Sequence, residues 1–162
     1  MIPLALVMRP GFLKEGAYSF VFLNALDKTA TKVFKRRDDL GQHFLQKVFD
    51  SEVKAYELAA ATPALKAITP SFIGLPHVGS IHNQSGADVS DQFVLTMAYQ
   101  MALIPGCFQK LESLPVEVYE PIQSHFRSAG IKYVKDSSAV TDATGAVVAV
   151  IDFATQEYEA CW

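Results

Sequence analysis

Between Tyr18 and Ala61 the spacing of apolar residues changes once, from every second position to the three-and-four rhythm of a helix, and that switch restricts the folds open to this chain. Two β-rich runs occupy 18–23 (Tyr-Ser-Phe-Val-Phe-Leu) and 29–34 (Thr-Ala-Thr-Lys-Val-Phe). The segment between them carries Asn24 and Asp27, residues that favour turns, so the pattern predicts a hairpin. From about Leu40 to Ala61 the residues Leu45, Val48, Phe49, Val53, Tyr56 and Ala60 make one helical stripe. Asp38 and Asp39 offer a cap at its start, and Pro63 closes it.

The rest of the chain continues in short elements. Strands are expected at 71–73 and 77–81, a turn-rich stretch at 82–88, and a central strand from Gln92 to Met97. A break at 104–106 precedes a helix over about 115–129 that carries Pro121, with Gly130 able to take the left-handed conformation beyond its end. Residues 139–153 read as strand, turn at Thr144-Gly145, and strand. The apolar opening before Arg9 has no preceding positive charge, which suits a strand better than a signal peptide. This order predicts an α+β fold with a largely antiparallel sheet in a single domain of 162 residues.

Composition narrows the function classes. Half the residues are hydrophobic and 19% are charged, so the chain is globular. A net charge of -3 gives no long-range attraction to nucleic acid. No apolar stretch approaches the roughly 20 residues needed to cross a bilayer, so no membrane partner is expected. Cys107 and Cys161 have no metal-ligand spacing, and a reducing cytoplasm is the expected compartment, with Cys107 a buried free thiol. His43, His77, His82 and His125 are scattered without a zinc-site pattern.

Four segments can carry chemistry. Around Gly16, a small-residue turn leads into a strand, where backbone N–H groups can approach phosphate oxygens; a plain hairpin turn is the other reading. Alternation puts Ala30, Lys32 and Phe34 on one strand face, so Lys32 either snorkels or pairs with an anion. Glu52 lies at the edge of the helical stripe, as a surface carboxylate or a partner for Lys32. Asp152 closes the apolar run Val147–Ile151, where a buried carboxylate requires a metal, a lysine or a capping role.

A small-residue loop, an Ala-x-Lys strand, a helical glutamate twenty positions later and a late Ile-Asp-Phe together resemble the protein-kinase-like family. The resemblance implies a kinase-like N-lobe, a twisted antiparallel sheet plus one helix over about residues 1–100, and a truncated C-lobe remnant over 101–162. It implies ATP held by the loop residues Gly16, Ala17, Ser19 and Val21, by Ala30 and Lys32, and by backbone at Met97 and Tyr99. It further implies magnesium on Asp152, with Lys32, Glu52 and Asp136 as the catalytic set. Tyr133 stands where the family has its histidine, Ser138 near the position of its asparagine, and Ala154 in place of its final glycine. The brevity is similar to that of the miniature kinase-like effectors of pathogens and phages. The expected function is therefore a kinase-like effector or regulator that docks on a partner protein and binds ATP and magnesium, in the cytoplasm or delivered into a host's. The alternatives are a minimal active protein kinase and an unrelated α+β interaction protein.

Overall fold

The computed structural model describes residues 2–158. Ten strands and three helices are present among them: β1 (Leu4–Val7), β2 (Leu13–Glu15), β3 (Ser19–Asn24), β4 (Thr29–Lys35), α1 (Gln42–Ala61), α2 (Pro63–Lys66), β5 (Phe72–Gly74), β6 (Val78–His82), β7 (Phe93–Ala102), β8 (Gln109–Lys110), α3 (Val116–Ser128), β9 (Ser138–Thr141) and β10 (Val147–Ile151). The fold is α+β, and its largest sheet has five strands in the order β2-β3-β4-β7-β5. Cys161 lies outside the described residues, and no helix among the described residues is long and apolar enough to cross a membrane.

The chain divides into two compact units. The first contains residues up to Phe49 together with Ile73–Leu103; the second contains Asp50–Phe72 and the chain from Ile104 onward. The division therefore does not fall at a single point near residue 100. It cuts α1 at Phe49 and sends the segment 50–72 with the C-terminal unit.

In the first unit, β2, β3, β4 and β7 are antiparallel neighbours. The β3–β4 turn is closed by the Asn24 side chain, whose Oδ1 accepts from the Leu26 and Asp27 amides at 3.0 and 3.1 Å. One face of the sheet presents Phe22, Val33, Phe93 and Ala98 to Val78, Ile81 and Val89, with Leu6 and Met8 packed alongside. β1 and β6, a parallel pair, supply several of these residues. The other face carries Phe34 and Tyr99, which meet Phe49 from α1 at ring separations of 5.5 and 6.2 Å. Period-two alternation in the strands and the helical stripe of α1 thus bury matching surfaces. The stripe runs through Ala59, which is buried, and not Ala60, which is exposed.

Neither aspartate caps α1. The Leu45 amide bonds back to the Gly41 carbonyl at 3.2 Å, and Asp39 instead takes the Arg37 guanidinium, which holds its carboxyl below the ordinary range.

In the second unit, the far half of α1, α3 and the sheet β10-β9-β8 enclose Tyr56, Leu65, Leu111, Phe126, Ile131, Val150 and Phe153, all essentially inaccessible. The Phe153 ring lies 4.4 Å from Tyr56 and 4.9 Å from Phe126. The end of α3 is closed by a Schellman motif: the Ile131 amide reaches the Phe126 carbonyl at 2.9 Å and the Gly130 amide reaches Arg127 at 3.0 Å. Gly130 has φ +89°, the left-handed value that this closure requires. Cys107, expected to be buried, is exposed, because it lies in the irregular segment after β7 and not in an apolar strand.

Candidate functional site

Strand register gathers most of the first unit's candidate residues on one sheet face. Val21, Lys32 and Tyr99 stand opposite one another across β3, β4 and β7; Ser19 faces Phe34, and Ala30 faces Met101. This is the face that Phe49 covers. Lys32 is half-buried there, its Nζ 5.9 Å from the Phe34 ring centre and 5.8 Å from that of Tyr99. A lysine at that distance over two aromatic faces is drawn to their negative quadrupoles, which holds its ammonium along the apolar surface. The register of β4 on β7 shifts between Val33 and Phe34, so the irregularity begins one residue beyond the lysine.

Met97 and Tyr99 are placed differently from the expectation. Both side chains are buried within β7, which continues to Ala102. The Tyr99 backbone lies in the ladder opposite Lys32. The chain leaves the sheet only at Leu103, whose amide bonds the Lys28 carbonyl at 2.9 Å. β7 thus runs past the strand expected from Gln92 to Met97, to Ala102.

The Gly16 loop is a three-residue hairpin connection between β2 and β3, with the Gly16 amide donating to the Ser19 carbonyl at 2.8 Å. Gly16 does not adopt a positive φ, and a methyl group there would meet Ser19 at an ordinary 3.6 Å. Ala17 is exposed and Ser19 buried. Two cations fasten the loop. Lys35 Nζ donates to the Glu15 carboxylate at 2.6 Å and to the Gly16 carbonyl at 2.7 Å, and Arg37 donates to the Ala17 carbonyl at 3.1 Å. Strand alternation puts Lys35 on the Val33 face, where its ammonium sits 4.8 Å from the Phe20 ring.

In the second unit two of the remaining candidates, Asp152 and Glu52, lie near Tyr56. Asp152 is exposed, not buried as its place after an apolar strand predicted. The chain turns out of β10 at this residue, which adopts φ +65°, a left-handed conformation that aspartate enters more readily than most side chains and that Lys28 also takes at φ +55°. Its peptide is held on both sides: the Ser137 hydroxyl donates to the Asp152 carbonyl at 2.8 Å, and the Asp152 amide points to the Tyr56 hydroxyl at 3.4 Å. Beyond it, Tyr133 and Ala154 form a bridge with reciprocal bonds of 3.0 Å. Burial pushes the Tyr56 hydroxyl well above the ordinary tyrosine range; the negative charge of Asp152 adds to this, and that of Glu52 adds further. Glu52, half-buried between the buried Ser51 and Val53, therefore shares an electrostatic neighbourhood with Asp152, while Lys54 and Glu57 point outward.

Asp136 is exposed and accepts a hydrogen bond from the Tyr133 hydroxyl, and its carbonyl receives Lys110 Nζ at 3.1 Å. Ser138 pairs with Ile151 in the β9–β10 ladder, one residue from Asp152.

Among the described residues no group of three or more His, Cys, Asp or Glu side chains is placed to hold a metal ion. Magnesium asks for less: it keeps several waters and takes one or two carboxylates together with phosphate oxygens. The hard, exposed oxygens of Asp152 suit that mode of binding.

No family model matches this chain, and no similarity is detected to a curated protein or to a solved structure.

Proposed function

We propose that this chain is a kinase-like regulator that binds ATP with magnesium and acts by docking on a partner protein. The observation that carries the reading is Asp152. A non-glycine residue held at positive φ costs on the order of 1–3 kcal/mol and persists where surrounding structure enforces it, most often at functional positions. Here the strained residue is also the carboxylate that the resemblance to kinases assigns to magnesium. Lys32, on the ring-lined face of the large sheet, is the residue proposed to meet the phosphates. Bound magnesium would offset phosphate charge; the chain's own contribution is an aspartate held at a defined backbone angle and a lysine held along an apolar surface.

Binding without efficient transfer is favoured over an active kinase by the state of Asp136. Its carboxylate accepts from the Tyr133 hydroxyl, so one oxygen that a substrate hydroxyl would use is engaged. General-base assistance contributes about 10²–10⁴-fold, and its absence leaves a slow reaction at best. A chain that binds nucleotide without rapid transfer acts through what it contacts, which is why the reading includes a partner protein.

The test is equilibrium binding of a fluorescent ATP analogue with and without magnesium, paired with a radiolabelled-ATP transfer assay on casein. Wild type should bind in a magnesium-dependent way, Asp152→Asn should lose the magnesium dependence, and Lys32→Met should bind more weakly than Lys35→Met. Transfer to casein should be negligible. No nucleotide binding in wild type would refute the reading, and robust labelling lost in both Lys32→Met and Asp152→Asn would establish the active kinase in its place.

A further inference from the structure

We infer that Ser137 and Tyr56 are positioning residues for Asp152: their two hydroxyls clamp its peptide in the left-handed conformation and thereby set where its carboxylate stands. This rests on the magnesium reading for the use made of the carboxylate, but the clamp itself is a property of the backbone.

Both clamping side chains are enclosed. Ser137 is 0% exposed and Tyr56 1% exposed, in contrast to the exposed Asp152 between them. A buried hydroxyl must satisfy its hydrogen-bonding capacity inside the protein, and Ser137 does so on the Asp152 carbonyl at 2.8 Å. Tyr56 offers its oxygen to the Asp152 amide from the opposite side, at a longer 3.4 Å. The two contacts grip the N–H and the C=O of one residue, and together they select its backbone angles.

The flanking structure leaves that residue little alternative. On one side Ile151 is fixed in the ladder to Ser138, and the Val150 amide bonds the Ile68 carbonyl at 2.7 Å. On the other, Phe153 is enclosed against Tyr56 and Phe126, and Ala154 is bridged to Tyr133. Asp152 is thus an exposed link between two anchored segments, and the hydroxyls act on the one residue whose conformation those anchors force. Ser137 immediately precedes β9, so the grip on the Asp152 carbonyl comes from the residue leading into the strand that pairs with β10.

The experiment is nuclear magnetic resonance on the isotope-labelled full-length chain, with wild type, Ser137→Ala, Ser137→Thr and Tyr56→Phe. A strong intraresidue amide-to-α-proton Overhauser effect at Asp152 marks positive φ. Manganese, added in the presence of ATP, reports metal at the carboxylate by broadening the Asp152 amide. Wild type should show the strong effect. Ser137→Ala should weaken it and raise the manganese concentration for half-broadening about tenfold, the equivalent of one lost hydrogen bond. Ser137→Thr should restore both, and Tyr56→Phe, which keeps the ring packing, should produce a smaller change in the same direction. An Overhauser effect at wild-type strength in both Ser137→Ala and Tyr56→Phe overturns the clamp. If wild type shows the effect but manganese does not broaden Asp152, the magnesium reading fails, and the Overhauser comparison alone decides whether the clamp stands.

Discussion

The left-handed angle at Asp152 can be weighed by comparing two substitutions that both delete the carboxylate, Asp152→Gly and Asp152→Ala. Each removes the same charge from beside Tyr56, so the electrostatic change cancels between them. The side chain is exposed, so neither loses appreciable apolar burial. What differs is the Cβ. A left-handed residue bearing Cβ is strained by about 1–2 kcal/mol, which glycine avoids. Glycine in turn loses more chain entropy on folding, roughly 0.5–1 kcal/mol relative to alanine. The balance leaves the glycine variant more stable by about 0.5–1 kcal/mol. In a chain of 162 residues, 1 kcal/mol moves the melting temperature by about 2–4 °C, so a difference of roughly 1–4 °C is expected. Differential scanning calorimetry on the two variants reads this directly. An alanine variant that melts with the glycine variant or above it would mean that residue 152 is not held at positive φ, and the strain argument for its function would go with it.

Other outcomes follow from the same structure. Lys35→Met should destabilise by about 1 kcal/mol in urea unfolding, since it removes the Glu15 contact and the bond to the Gly16 carbonyl; Glu15→Gln should cost less, with a loss that shrinks in high salt. Gly130→Ala should cost about 0.5–1 kcal/mol, the left-handed strain less the chain entropy that alanine saves, because its new methyl would sit an ordinary 3.8 Å from Leu58 and adds no clash. Alkaline pH tests Tyr56. Its proton is held more tightly in the folded chain than in the unfolded one, so this contribution to stability is complete below the ordinary tyrosine value of 10.0 and is lost as pH rises above it. Tyr56→Phe should therefore flatten the fall in stability above about pH 10 in denaturant titrations, and an unchanged alkaline slope would contradict the burial of that hydroxyl.

Much of the first unit was legible because its residues answer to local rules. Alternation over 18–34 and the helical stripe beginning at Leu45 specify which faces are apolar, and Asn24 closes a turn by geometry available within a few residues, as Gly130 closes a helix in the second unit. The same alternation placed Lys32 with Ala30 and Phe34, and the structure adds Tyr99 to that row. What could not be read were the long-range pairings. β1 joins β6 in parallel across some seventy residues, and β5 reaches the edge of the large sheet in only three; strands so short carry no register information of their own. The candidate site was half legible. Asp152 stood out as an aspartate ending an apolar strand, but burial was inferred from the strand, and the positive φ that turns it outward depends on Ser137 and Tyr56, residues fifteen and ninety-six positions away. A serine before a strand and a tyrosine in a helical stripe look like ordinary core residues until the fold brings their hydroxyls to the backbone of one residue. Asp38 and Asp39 failed as caps for a comparable reason, since Arg37 competes for Asp39 at shorter range.

The central claim, that ATP binds with magnesium and that Asp152 is required for the metal, is tested most directly by thermal shift. A ligand that binds only the native state at one hundred times its dissociation constant stabilises by about 2.7 kcal/mol, a rise of roughly 5–10 °C at this chain length. Wild type should show that rise in ATP with magnesium and a smaller one in ATP with chelator, and Asp152→Asn should show the smaller rise in both conditions. A wild-type melting temperature unmoved by ATP and magnesium, or a magnesium-dependent rise that survives in Asp152→Asn, would contradict the account.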